Sequence, residues 1–120
     1  MAVKTIQELI DMKSGIDEKR AKTYTVHSDE LDMDISYKLA SRTEVIQVQK
    51  MGAEDVDPYL IYKHVVEPDL SDKALQKAYG MVAIEPYKIV DKIFSRIDVV
   101  NLSLAIIGEK QSDITGEIKN

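Results

Sequence analysis

Between Leu31 and Leu39 the chain alternates without interruption. Leu31, Met33, Ile35, Tyr37 and Leu39 are apolar, and Asp32, Asp34, Ser36 and Lys38 lie between them. A period of two sends all the apolar groups to one side of an extended strand and the polar ones to the other. Just upstream, Tyr24 and Val26 alternate with Thr23, Thr25 and His27, and Ser28-Asp29-Glu30 separates the two runs. The pattern predicts an antiparallel hairpin with one wet face. An isolated hairpin is marginal in water, so the other face must be covered by helices. The turn lacks the glycine that tight hairpins favour, which leaves its type open.

The rest reads as helix. Thr5 and Glu8 form a T-x-x-E capping box ahead of Ile6, Leu9 and Ile10, and Ser41 and Glu44 form a second. Gly15 weakens the middle of the first helix, and Asp17 to Lys22 reads as its solvated end. Val45, Ile46, Val48 and Met51 give the next helix its apolar side, with Gly52 as a left-handed stop. Ala53 to Asp57 reads as an acidic linker. Asp57-Pro58 then opens a helix, with Asp57 as N-cap, that carries Leu60, Ile61, Val65 and Val66 and ends before Pro68. Ser71 is the expected cap of a short helix ending at Gly80. Pro86 opens another through Ile89, Val90, Ile93 and Phe94, and Ser95 starts a last one that stops at Gly108. The expected fold is one α+β domain over residues 1–108, mainly helical, with an N-terminal helix and a hairpin. Residues 109–120, mostly polar, read as a mobile tail.

Charge and composition narrow the function. The chain has 120 residues with 16 Lys+Arg against 21 Asp+Glu, a formal net charge of −5. That balance argues against nucleic acid and against an anionic membrane surface as partners, since both are gripped by clustered cations. The absence of cysteine excludes disulfides and thiolate chemistry. No run approaches a membrane span, and the charged N-terminus lacks the apolar core of a secretory signal, so a cytoplasmic location is expected.

Catalytic patterns do not emerge, and no enzyme, metal or cofactor is expected. His27 lies near the predicted turn and His64 mid-helix, with no strained serine elbow to accompany either. A structural histidine is the simpler reading of His64. Glu30, Asp32 and Asp34 superficially suggest a calcium loop, but Ile35 occupies the place such a loop reserves for glycine. The alternating apolar residues make these acids the wet face of a strand. The glycines are isolated, so no phosphate loop exists. The helix around Tyr59 and Tyr62 is more apolar than one surface helix requires, so it is either central to the core or covered by a partner. Candidate partner-binding residues are Tyr59, Leu60, Tyr62 and Val66, with Phe94 and the final helix as second choice.

The stretch from Asp57 to Phe94, DPYLIYKHVVEPDLSDKALQKAYGMVAIEPYKIVDKIF, resembles the XkdN-like tail assembly chaperones of tailed phages and prophages. The resemblance rests on the order of several short blocks: Val65-Val66-Glu67-Pro68, Leu75-Gln76, Ala78-Tyr79-Gly80, and Ile89-Val90-Asp91-Lys92-Ile93-Phe94. The Thr5-to-Leu9 helix and the alternating strand before a Ser-capped helix extend it over residues 3 to 108. It implies a non-enzymatic role in the host bacterial cytoplasm. Such a chaperone binds the tape measure protein, assists assembly of tail tube subunits and is absent from the finished virion. It also implies a counterpart of the short product of a gene pair whose longer form arises by frameshifting, while a homo-oligomer stays open. The competing readings are a structural virion component, such as a tail or head completion protein, and a small acidic enzyme or metal protein using His27 or His64.

Overall fold

The computed structural model describes residues 5–108. The expected tail, 109–120, lies outside the described residues. The elements in chain order are α1 (Ile6–Asp11), α2 (Lys13–Ala21), β1 (Thr23–Ser28), β2 (Met33–Lys38), α3 (Arg42–Val48), α4 (Ala53–His64), β3 (Val65–Glu67), α5 (Lys73–Ala78), a 3₁₀ turn (Pro86–Lys88), α6 (Ile89–Ile93) and α7 (Arg96–Ile106). This is the expected α+β arrangement of an N-terminal helix, a hairpin and a helical remainder.

The alternating run forms β2, the middle of a three-stranded antiparallel sheet in the order β1-β2-β3. Tyr24 pairs with Tyr37 and Val26 with Ile35, so the alternating apolar groups share one face. The two tyrosine rings stack at 5.9 Å on that face. Four residues make the turn, and Asp32 takes the left-handed conformation (φ 51°) where glycine was expected. Aspartate tolerates this region better than most residues, because its short polar side chain can bond locally. Leu31 therefore lies in the turn rather than in the strand.

Two helix starts differ from expectation. Gly52 is not a left-handed stop: its φ is −61°, and it is the N-cap of α4. The helix thus absorbs Ala53 to Asp57, and Pro58 sits inside it rather than at its first position. Its ring forgoes the bond that a residue there would make to the Glu54 carbonyl, in the second turn of the helix. Asp57, freed from capping, accepts from the Ser103 hydroxyl at 2.8 Å. Likewise Asp72, not Ser71, caps α5 by accepting from the Leu75 N–H, while Ser71 donates to Asp69. At the other end α4 stops at His64, and Val65 to Glu67 form β3 against Ser36 and Tyr37. Two β-branched residues ahead of a proline favour the extended state over another helical turn.

The core gathers Ile35 and Tyr37 from the sheet, Leu60 and Ile61 from α4, Ile89 and Val90 from α6, and Leu102 and Ile106 from α7. Helix α4 runs through its middle, packed against α3, α6, the 3₁₀ turn and α7. That central position explains why its sequence is apolar around so much of its circumference. Helix α7 closes the structure with three ties. The Ser28 hydroxyl donates to Asp98 at 2.6 Å, Ser103 donates to Asp57, and the Ala40 N–H donates to the Ile106 carbonyl at 2.9 Å. Helix α1 stands apart: its capping box forms as expected, yet none of its residues is buried.

Candidate functional site

The Ser41 capping box sets the geometry of a cleft that combines apolar walls with a buried titratable group. Ser41 accepts from the Glu44 N–H, and Glu44 Oε1 accepts from the Ser41 N–H at 2.8 Å. This fixes Glu44 at the first turn of α3, facing the C-terminal end of α4. Between the two helices lies a cleft of about 470 Å³ lined by Glu44, Gln47, Val48, Met51, Tyr59, Lys63 and His64. Its size is in the range of small-ligand pockets.

His64 is the buried polar group of this cleft, 8% exposed. Its Nδ1 lies 2.8 Å from the Leu60 carbonyl. A carbonyl only accepts, so Nδ1 carries the proton and donates. Its Nε2 has no hydrogen-bond partner. Glu44 Oε2 is 3.2 Å from that nitrogen, which makes an ion pair when the ring is protonated. A buried polar atom left without a hydrogen bond costs about 1–3 kcal/mol. The Ser41 backbone N–H holds the Glu44 carboxyl below its ordinary value, burial opposes this, and His64 adds to the lowering. Tyr59 forms the opposite wall, edge-on to Tyr87 at 5.5 Å, with the Lys63 ammonium 6.0 Å from its ring centroid.

The sequence-derived partner candidates divide between core and surface. Leu60 and Phe94 belong to the core and present almost no surface. Tyr59 and Tyr62 are half-buried at its edge, and Val66 is exposed on β3. Only Tyr59 of the five lines the cleft. The sequence reading missed Glu44, Val48, Met51 and Lys63 as companions, because two helices that meet at a corner leave no fixed spacing in sequence. The available signal was Glu44 itself, an N3 carboxylate free to do more than cap.

Two other features stand out. At the hairpin, His27 Nδ1 lies 2.8 Å from Asp34, and Nε2 lies 3.6 Å from Asp32 and 3.9 Å from Asp29. The hydrogen bond to Asp34 raises its pKa most, with the neighbouring carboxylates adding to it and desolvation opposing. Among the described residues no group of three or more His, Asp or Glu could hold a metal ion. The second feature is the apolar side of α1 and α2. Ile6 is 76% exposed, Ile10 58%, and Leu9, Met12 and Ile16 are also exposed. Among the described residues no helix is long and apolar enough to cross a membrane. No protein family, curated protein or solved structure matches the chain.

Proposed function

We propose that this chain is an assembly chaperone of the XkdN-like kind, acting in the host bacterial cytoplasm on the tape measure protein of a tailed phage or prophage. It keeps that client soluble, assists addition of tail tube subunits and leaves before the virion is complete. The observation that carries the reading is the bare apolar side of α1 and α2, where Ile6, Leu9, Ile10, Met12 and Ile16 are all exposed. Short helices draw most of their stability from packing an apolar face. A face of this kind without a cover suits a transient helical client, which would be bound by helix-against-helix packing. The ordered blocks between Asp57 and Phe94 support the family, and the net charge of −5 suits a protein that must keep an apolar complex dispersed.

The test is co-expression with the tape measure protein of the same genome. The full chain should raise the soluble fraction of that client. The variant carrying Ile6→Glu, Leu9→Glu and Ile10→Glu should lose the effect while keeping its thermal transition. Unchanged client solubility with the full chain overturns the proposal. So does a stoichiometric amount of this chain in purified virions, which would instead mark a structural tail or head component.

A further inference from the structure

The three-stranded sheet ends differently at its two edges. On one side β3 is three residues long, ends on Glu67, is followed by Pro68 and meets β2 across a register shift. Shortness, charge, proline and irregularity all guard an edge against pairing with another strand. On the other side β1 runs for six residues, Thr23–Ser28, in unbroken register with β2. It holds no Lys, Arg, Asp, Glu or Pro, and its Tyr, Val and Thr suit a pleated strand. Among the described residues β1 pairs with β2 alone, so its outer row of backbone N–H and C=O groups has no strand beside it. Such a row is a template for a further strand.

The sequence of β1 says which strand fits. Two copies related by a two-fold axis through the sheet keep each residue on its own face, so they pair antiparallel about a residue that lies opposite itself. With Thr25 on the axis, Tyr24 of each copy lies opposite Val26 of the other, Thr23 opposite His27, and Lys22 opposite Ser28. The Tyr–Val pairs extend the face on which both residues already pack against the core. The two Thr25 side chains meet on the exposed face. Opposite charges meet at each end. The Lys22 ammonium lies 5.3 Å from the Tyr24 ring centroid, and so shares its face. It arrives at Ser28, which donates to the Asp98 carboxylate at 2.6 Å and precedes Asp29. The strand is cationic where it begins and acidic where it ends, so a reversed copy complements it in pattern and in charge.

We infer that two copies of this chain pair through β1, antiparallel about Thr25, and join their three-stranded sheets into one continuous sheet of order β3-β2-β1-β1-β2-β3. One strand edge buries less than a standard interface, so the dimer is weak and reversible. The inference concerns self-association and does not rest on the assembly-chaperone reading.

Sedimentation equilibrium of the full chain over a rising concentration series should show the mean mass climbing from that of one chain towards that of two. Thr25→Lys and Thr25→Glu each set like charges opposite one another on the axis, and each alone should weaken the dimer about fivefold. Mixed in equal amounts they should restore it, because position 25 then faces an opposite charge. Both changes fall on the exposed face and should leave the thermal transition in place. In an equal mixture of isotopically labelled and unlabelled parent chains, intermolecular NMR contacts should join β1 to β1, Tyr24 to Val26 among them. A chain that stays monomeric throughout overturns the inference and leaves the edge to an extended segment of another protein. So does a mixture of the two variants no tighter than either alone, or a dimer whose intermolecular contacts lie on α1 and α2 instead. Should either variant fail to fold, the intermolecular contacts of the unaltered chain decide the matter alone.

Discussion

Replacing Leu60 with alanine separates a core role from a partner-facing one. Leu60 is 2% exposed and lies in the central helix beside Ile61, within the cluster that includes Ile35, Ile89 and Ile106. The change removes three carbons from that cluster. At about 0.8 kcal/mol per buried methylene the transfer loss is about 2.4 kcal/mol. The cavity left behind adds to it, and such changes cost about 2–5 kcal/mol in all. Alanine's better helix propensity returns only a few tenths. We expect a loss of about 3 kcal/mol, or roughly 12 °C in Tm at about 4 °C per kcal/mol. Urea unfolding followed by circular dichroism should show a lower midpoint with an unchanged slope. Ile6→Ala, at 76% exposed, should stay within about 0.5 kcal/mol in the same assay. A Leu60→Ala midpoint as close to the parent as that of Ile6→Ala would refute the packing described for α4.

Titration gives three more tests. The pKa of Glu44 is depressed in the folded chain from its ordinary 4.5, so its contribution to stability is present above that value and is lost as pH falls through the folded value. Glu44→Gln should therefore flatten part of the acid limb of a Tm-against-pH curve. The pKa of Asp91 is raised, first by burial and then by Asp55 and Asp57, so its ionised form disfavours folding near neutrality. Asp91→Asn should raise Tm at neutral pH, with the gain shrinking as pH falls into the carboxylate range. The pKa of His27 is raised above its ordinary 6.5, chiefly by Asp34, so its contribution is complete below that value and vanishes as pH climbs past the raised one. His27→Gln should lower Tm in mild acid and leave it unchanged in mild alkali, and NMR titration of the ring reads the shift directly.

Much of the fold was written in local patterns. The period of two around Ile35 specified β2 and its buried face, and both capping boxes formed where Thr5-Glu8 and Ser41-Glu44 predict them. Ser95 started α7, and Gly80 (φ 68°) and Gly108 (φ 89°) took the left-handed conformation that stops a helix. The misreadings share a cause: tertiary partners overrode a local cue. Asp57-Pro58 is a strong helix start, yet Ser103 on α7 claims the Asp57 carboxylate and the helix begins five residues earlier. Val65 and Val66 fit a helical period as well as a strand, and only the free edge of β2 decides between them. The cleft was less legible still. Its polar groups, Glu44 and His64, come from two helices, and their approach is a matter of geometry rather than of spacing.

The three ties made by α7 also bear on how the molecule comes into being. Ser28 and Asp98 are 70 residues apart in sequence, and Ala40 must likewise wait for Ile106. The hairpin and the central helix therefore emerge during synthesis well before their last neighbour exists, with Leu60 and Ile61 still bare. Closing so long a loop slows folding, because its entropy must be lost before any contact forms. A nascent chain of this protein passes through a stage at which its own future core is a sticky surface, and a break anywhere before α7 would trap it there.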